Sequence, residues 1–325
     1  MGFGADLHAR VLTSHLSDRS DHRSLTAHQP PGKIGYLLVR GSEIAVQNEP
    51  AVATAAEPGA LQLTILAADA LAGISSAPGI PVRLGDRNGL TIVTADLTAS
   101  ASAPTESASE SALELIEALP AGVRFEPLRT AGLQLSAPDA NLALSAVAMT
   151  TWHRDTRMCP TCGQRLEPRR EGWMKACSQQ HLQFPRTDAA MIVAVTDDAD
   201  RLLLARNHRF TTGAYSVLAG FLEPGEDLET CVQREVFEEV GLLVDDVRYV
   251  GSQPWPYPRS LMVGFQARVG QKSSPNELTL RDGELADARF LTREQFRQQL
   301  GSGEIAIPAV GSVGRALIDM WNEAL

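Results

Sequence analysis

Gly220–Leu242, GFLEPGEDLETCVQREVFEEVGL, is the stretch whose reading decides the fold. Pro224-Gly225 forces a turn, Glu226 and Asp227 put negative charge where the macrodipole of a following helix favours it, and Gly241 stands where a left-handed cap would end that helix. The pattern predicts a loop followed by a helix from about Asp227 to Val240. At about 100° per residue, Glu235, Glu238 and Glu239 fall in one arc of roughly 100°, and Leu228, Cys231 and Val232 lie on or next to it. The acids thus share the helix's apolar side, whereas a solvated charged face would lie opposite. Carboxylates crowded on an inward face repel one another and are costly to desolvate unless a divalent cation neutralises them. Mg²⁺ or Mn²⁺, hard cations that take oxygen ligands, suits such a set. A purely structural ion-pair cluster is the competing reading.

Gly220, five residues, Glu226, seven residues, then Arg234-Glu235-Val236-Phe237-Glu238-Glu239-Val240-Gly241-Leu242 resembles a complete Nudix box. So many fixed residue types at fixed spacing make the resemblance specific. It implies hydrolysis of a nucleoside diphosphate linked to another group, by water attacking phosphorus with divalent metal assistance. The fold it implies is an α/β/α sandwich, with the box helix packed on a mixed sheet.

Ten residues further on, Ser252-Gln253-Pro254-Trp255-Pro256-Tyr257-Pro258-Arg259-Ser260 is similar to the SQPWPFPxS sequence that marks the NADH pyrophosphatase branch of that family, with Tyr257 in place of Phe. On its own the segment reads as a rigid extended loop that packs or turns. Rings held on such a loop can also stack on a planar base with little entropy lost.

Upstream, Cys159-Pro-Thr-Cys162 is followed after fourteen residues by Cys177-Ser-Gln-Gln-His181. Two knuckles of soft ligands suit a tetrahedral zinc, and they use three of the chain's four cysteines. A disulfide is the weaker reading, because nothing at the N-terminus resembles a signal peptide and reduced thiols are expected in a cytoplasmic protein. The branch carries a four-cysteine ribbon here, and in that register the fourth ligand falls on Gln180. His181 takes its place if the second knuckle is one residue longer, giving a structural Cys3His site; an empty, degenerate site is the competing reading. Cys231 reads as a small buried residue of the box helix.

The chain has 325 residues and a mass of 34.9 kDa, too long for one ordinary core, and its hydrophobic content of 44% suffices for two compact domains with a small metal module between them. No apolar run approaches a membrane span, which predicts a soluble protein without membrane partners. A formal net charge of −10 argues against a general nucleic-acid binder. Nucleotides remain, because metal and Arg can meet their phosphates locally.

Three regions follow: an N-terminal α+β domain over 1–136, with its first thirty or so residues loosely ordered; a connecting helix and zinc ribbon over 137–186; and a Nudix domain over 187–325. In the first, strands are expected at Ile34–Leu38, Leu61–Leu66 and Thr91–Ala95, then an Ala/Ser/Glu loop over 98–110 and a helix over 111–119. Asn141–Arg157 reads as a helix delivering the chain to the knuckles, with His153 a packing or hydrogen-bonding residue. Strands at Ala189–Thr196, Leu202–Arg206, Val247–Ser252, Leu261–Val269 and Ala288–Leu291 make the last sheet, Ser216–Ala219 leads into the box, and Gly314–Glu323 closes as a helix.

The resemblance also implies roles. Glu235, Glu238, Glu239 and Glu284, the last in GELADARF, would ligate the metals, with Glu239 or Glu284 as general base. Arg234 would orient the glutamates, and Glu226 would position the loop or bind metal through water. Phe184, Ile192 and Phe221 would line the base pocket. Gln253 lies in the branch motif, and Trp255, Ser260 and Met262 would reach the site across a homodimer interface. Gly314 would contact the ligand through its backbone. The substrate implied is NADH or NAD⁺. ADP-ribose, or the NAD cap of an RNA 5′ end, would use the same residues. A Nudix-type sensor without catalysis, its ribbon a nucleic-acid-binding knuckle, is the contrasting class, and the intact glutamates and acidic balance count against it.

Overall fold

A computed structural model describes residues 33–48, 61–67, 79–87, 89–98, 116–117, 119–281 and 283–324. The first thirty residues, and all of the loop and helix expected over 98–119 except Thr98, Ile116, Glu117 and Leu119, lie outside these. Thr187–Trp255 with the chain from Ser260 onward forms one compact unit. The described residues up to Arg186, with Pro256–Arg259, form another.

The second of these units is built on a seven-stranded sheet. Its strands are β1 (Lys33–Arg40), β2 (Glu43–Asn48), β3 (Leu61–Leu63), β4 (Ile65–Ala67), β5 (Arg83–Arg87), β6 (Leu90–Asp96) and β7 (Arg124–Pro127). They run in the order β3-β2-β1-β6-β5, with β4 also on β1 and β7 on β2. Only the β1–β6 pairing is parallel. The single strand expected over Leu61–Leu66 is two short strands, because Thr64 turns its backbone N–H to Ala45 O (3.0 Å) and the chain passes from β2 to β1 as its partner. A short helix α1 (Leu128–Ala131) precedes α2 (Ala137–Asp155), whose N-cap Ser136 accepts a hydrogen bond from Asp139 N. Ala140, Ala143 and Ala146 are fully buried along α2, and such small residues let the helix lie close to the sheet.

After α2 comes a three-stranded ribbon, β8 (Glu167–Arg169), β9 (Met174–Ala176) and β10 (Leu182–Gln183). Lys175 of β9 is buried, its ammonium 4.9 Å from the Trp152 ring and donating to the carbonyls of His153 (3.2 Å) and Thr156 at the C-terminal end of α2. Cations are favoured there by the helix dipole. Burial nevertheless draws Lys175 down to about 8. His153 is buried with its Nε2 2.8 Å from Gly172 O, and burial, then the charge of Lys175, draws it down to about 4, so it is neutral at pH 7.

The other unit is a mixed six-stranded sheet between helices. Its strands are β11 (Asp188–Thr196), β12 (Leu202–Asn207), β13 (Leu218–Phe221), β14 (Val244–Trp255), β15 (Ser260–Val269) and β16 (Leu285–Leu291), in the order β14-β15-β11-β12-β16 with β13 on β11. β11 and β15 are parallel. Met191, Val193, Val195 and Leu203 pack with Cys231, Val232, Val236 and Val240 of α3 (Leu228–Val240) on one face. Ile192, Ala194, Leu202 and Leu204 pack on the other face with Phe296 of α4 (Arg293–Ser302) and Leu317, Ile318 and Trp321 of α5 (Val313–Glu323). Both faces being covered, these strands read as unbroken apolar runs instead of alternating ones.

Asp227 is the N-cap of α3, not its first residue; its side chain accepts from Thr230 N (2.7 Å). Gly241 adopts the left-handed cap at φ 75°. The SQPWPYP segment is not a free loop. Ser252–Trp255 completes β14, Trp255 pairs with Ser260, and only Pro256–Arg259 turns. Pro254 is tolerated because β14 is an edge strand, where its missing N–H breaks no ladder.

Candidate active site and metal centre

Arg234 organises the box. Its Nε donates to Glu226 Oε1 (2.8 Å) and its two terminal nitrogens to Glu226 Oε2 (2.9 Å), Glu235 Oε1 (3.0 Å), Glu238 Oε2 (2.9 Å) and Phe221 O (2.9 Å). The guanidinium thus spends its donors inside the protein, fixing three carboxylates relative to the end of β13. Hydrogen bonding to Arg234 holds Glu226 down to about 2, and Glu226 in turn accepts from Glu223 N (3.1 Å), which closes the Pro-Gly loop. A carboxyl depressed in this way contributes stability above its unfolded value, near 4.3, that is lost only as pH falls through about 2.

Glu235 is half-buried against β13, so close that a Cβ on Gly220 would lie 1.9 Å from its carboxyl carbon. Gly220 is therefore glycine to admit a carboxylate, its φ not being positive. Burial pushes the Glu235 carboxyl above its usual range; Arg234 opposes this, and the charges of Glu238 and Glu284 add to it. A bound cation would relieve both desolvation and repulsion, and the all-oxygen donor set fits a hard divalent ion.

The acids are graded in burial and not gathered on the apolar side as the angular pattern implied. Glu239 is 5% exposed beside Val236 and Val240, Glu235 is intermediate, and the Glu238 side chain is 52% exposed. At about 100° per residue Glu238 and Glu239 lie roughly 60° to one side and 40° to the other of Glu235, so the arc crosses the boundary between the solvated and the buried face. Glu284 is exposed, and its carbonyl accepts from His208 N (3.0 Å). Among the described residues the four glutamates do not converge as a closed set of ligand atoms; the Cys/His quartet does.

On the face of the sheet opposite α3, Ile192 and Gly314 are neighbours: a Cβ on Gly314 would meet Ile192 Cδ1 at 3.2 Å and Ser216 Oγ at 3.5 Å. Met262 packs against the same cluster, and Phe221, paired with Ala190, is 59% exposed at the end of β13. Gln253 is buried and spends its carboxamide on the backbone, donating to Gly311 O (2.7 Å) and accepting from Val313 N (2.9 Å). It thereby holds the start of α5, including Gly314. Ser260 is buried opposite a half-buried Trp255. Phe184 is exposed, in the other unit. Cys231 is fully buried, and burial pushes its thiol up to about 12, as an inert packing residue requires. Sequence reasoning did not single out Lys175; a lone Lys in WMKAC carries no signal of burial.

The ligand atoms of Cys159, Cys162, Cys177 and His181 all lie within 4.8 Å of one another. Cys162 Sγ is 3.6 Å from Cys177 Sγ and Cys159 Sγ is 3.6 Å from His181 Nδ1, near the roughly 3.8 Å edge of a tetrahedral thiolate site and far beyond the ~2.05 Å of a disulfide. Burial raises the Cys159 thiol, but amides of Cys162 and Thr161 and the His181 ring bring it down to about 6, the thiolate-favouring setting a metal needs. The second knuckle is not a longer copy of the first. Cys159 N bonds Gln164 O across the first, whereas Cys177 N bonds His181 O across the second, a loop one residue shorter. Gln180 takes the left-handed conformation (φ 63°) that Gly163 (φ 68°) takes in the first, and the imidazole supplies the reach that a thiol at 181 would lack.

Residues 185–307 match the NUDIX domain, and residues 35–152 match the NADH pyrophosphatase-like rudimentary NUDIX domain. The chain is similar to the NAD-capped RNA hydrolase NudC of Mycobacterium bovis (strain BCG / Pasteur 1173P2), 41% identical over 203 residues, which are 60% of this chain and 64% of that protein. It is also similar to the NAD-capped RNA hydrolase NUDT12 of Macaca fascicularis, 36% identical over 61% of this chain and 45% of that one. The chain therefore spans less than two thirds of the length of these curated relatives. A NUDIX hydrolase from Nitrosomonas europaea superposes with a TM-score of 0.41 at 16% identity, over 52% of this chain and 92% of that one. No helix among the described residues is long and apolar enough to cross a membrane. The chain thus carries a Nudix domain over residues 185–307 and, before it, an NADH pyrophosphatase-like domain over 35–152, with the Cys3His cluster between them in sequence.

Proposed function

We propose that this chain hydrolyses the diphosphate of NADH or NAD⁺ to nicotinamide mononucleotide and AMP, and that it cleaves the same bond where NAD caps an RNA 5′ end. The observation that carries this reading is the bank of glutamates fixed by Arg234 against the glycine-relieved wall of β13. The names of the relatives favour the capped-RNA substrate.

Glu235, Glu238, Glu239 and Glu284 would hold Mg²⁺ or Mn²⁺, which when bound polarises phosphoryl oxygens and lowers the pKa of a bound water. Arg234 keeps the carboxylates in register, and Glu239 or Glu284 takes the proton as water attacks phosphorus and the bridging oxygen departs with the other phosphate. Ile192, Phe221, Met262 and Gly314 would line the base pocket; Gln253 supports it from behind. In a homodimer, Trp255, Ser260 and Met262 would reach the neighbouring site. Cys159, Cys162, Cys177 and His181 would hold a structural Zn²⁺. The domains proposed are 1–136, 137–186 and 187–325, in a protein of the cytoplasm.

Incubation of the purified chain with NADH, NAD⁺, ADP-ribose and NAD-capped RNA plus Mg²⁺ or Mn²⁺ tests the reading by ranking kcat/KM. NADH, NAD⁺ or NAD-capped RNA should lead; turnover led by ADP-ribose, or none, overturns it. Gly220→Ala forces the Glu235 carboxylate from its niche, so kcat should fall at least about tenfold, about 1.4 kcal/mol in the barrier, with the melting temperature little changed. Unaltered kcat would show that Glu235 is not needed where it stands.

Trp255→Ala removes stacking area worth about 1–3 kcal/mol, so kcat/KM for NADH should fall roughly ten- to a hundredfold. A small diphosphate that does not reach the hairpin should lose much less. Ultracentrifugation of the variant separates a binding defect from dimer dissociation, and equal losses on both substrates return Trp255 to packing.

A further inference from the structure

Glu284 is the one acid of the proposed metal bank that α3 does not carry, so its loop has to be held beside the helix that bears Glu235, Glu238 and Glu239. The segment just before it is fastened to the C-terminal end of that helix. Leu278 packs with the cluster that seats α3 on the sheet, Thr279 N donates to Val240 O (3.1 Å), and the Arg281 guanidinium lies 4.4 Å from the centroid of the Phe237 ring. Phe237 is 39% exposed, and a guanidinium over the face of such a ring is attracted by its quadrupole.

The end of the helix favours a cation at this place. α3 has no basic residue in its last turn, so Arg281 supplies from outside the helix the positive charge that its C-terminal dipole attracts. Gly241 leaves the room: a Cβ there would lie 3.3 Å from Arg281 Nε and 3.5 Å from Thr279 Cβ. Glu284 follows Arg281 by three residues, which keeps its Cα within about 10 Å of that of Arg281. Downstream, Glu284 O accepts from His208 N (3.0 Å), and β16 begins at Leu285, in register with Asn207 of β12. The backbone around Glu284 is thus tied to α3 on one side and to β12 on the other. The charge of Glu284 is among those that raise the Glu235 carboxyl, as expected of acids that face the same space.

We propose that Arg281 is a positioning residue of the hydrolytic site: stacked on Phe237, it clasps the loop of Glu284 to the box helix, so that loop and helix present their carboxylates to the same divalent cations. This rests on the hydrolytic reading given above.

Titration of the purified chain with Mn²⁺, followed by the electron paramagnetic resonance of the free ion, tests it beside turnover of NADH over the same Mn²⁺ range. Arg281→Ala should raise the half-saturating Mn²⁺ concentration roughly three- to tenfold in both readouts, the worth of one stacked cation. The melting temperature should change little, because Arg281 is exposed. Arg281→Lys, which keeps a cation over the ring, should recover most of the loss, and Phe237→Leu, which keeps apolar area without the ring face, should reproduce it. The double variant Arg281→Ala/Phe237→Leu should be no worse than either single one, since both break one contact. Half-saturation unchanged in Arg281→Ala, with or without a lower melting temperature, or additive losses in the double variant, overturns the clasp while the hydrolytic reading stands. A wild-type chain that neither binds Mn²⁺ nor hydrolyses NADH overturns that reading and the clasp with it.

Discussion

Glu239→Gln should lower kcat on NADH by two or more orders of magnitude, about 3 kcal/mol in the barrier, with the melting temperature nearly unchanged. Glu239 is the most buried acid of the box, 5% exposed among the apolar residues that seat α3 on the sheet. An isosteric amide keeps the packing but removes the negative charge and most of the basicity, which are what a metal ligand or a general base requires. Near-normal turnover at saturating Mg²⁺ or Mn²⁺ would refute the assignment. If the cluster were merely structural, the variant would lose thermal stability before activity, and a melting curve beside the kcat measurement distinguishes the two. Glu238→Gln offers a contrast: at 52% side-chain exposure and bonded to Arg234, Glu238 can be altered with little cost to packing.

The same two residues mark how far the sequence could be read. The box helix was legible because its ends announce themselves: Asp227 caps one and Gly241, left-handed at φ 75°, the other. β11 and β12 were legible as unbroken apolar runs, since α3 covers one face of them and α4 and α5 the other. What periodicity could not give is where the carboxylates divide between interior and solvent. The arc places Glu235, Glu238 and Glu239 together, but Arg234 and the close approach of Gly220 decide where Glu235 and Glu238 are held.

Elsewhere tertiary context overrode local signals. Ser252–Trp255 reads as a proline-rich loop, yet pairing with β15 extends β14 through Pro254, because an edge strand has no neighbour to miss its N–H. β2, β5 and β7 were not anticipated: RLGDR and RFEP are polar and short, and β5 and β7 become strands through β6 and β2. α4 was missed for the same reason, with Phe296 its one buried residue. Its capping box, Thr292 with Gln295, was the signal that could have found it. Gln253 belongs to the recognised motif, but only the structure shows its carboxamide spent on Gly311 and Val313.

Cys162→Ser should release the metal of the ribbon and lower the melting temperature by roughly 10 °C or more, because metal binding is coupled to folding of so small a module. β8, β9 and β10 together offer little to bury: Leu166 and the cysteines themselves make up the local core, so ligation must do what a hydrophobic core does elsewhere. Serine is a poor ligand for a soft site, and the three donors left would surround an open position. Purified wild-type protein should carry about one tightly held zinc per chain by metal analysis, consistent with four donors within 4.8 Å of one another. His181→Ala should lose the metal to the same extent, since its Nδ1 stands 3.6 Å from Cys159 Sγ, whereas Gln180→Ala should keep it. Retention of zinc in His181→Ala would move the fourth ligand elsewhere, and a wild-type protein that is stable and free of zinc would remove the metal from the ribbon altogether. Loss of metal in Cys162→Ser with turnover retained at low temperature would place the ribbon in folding and not in chemistry, which is the role that a site closed by four protein donors predicts.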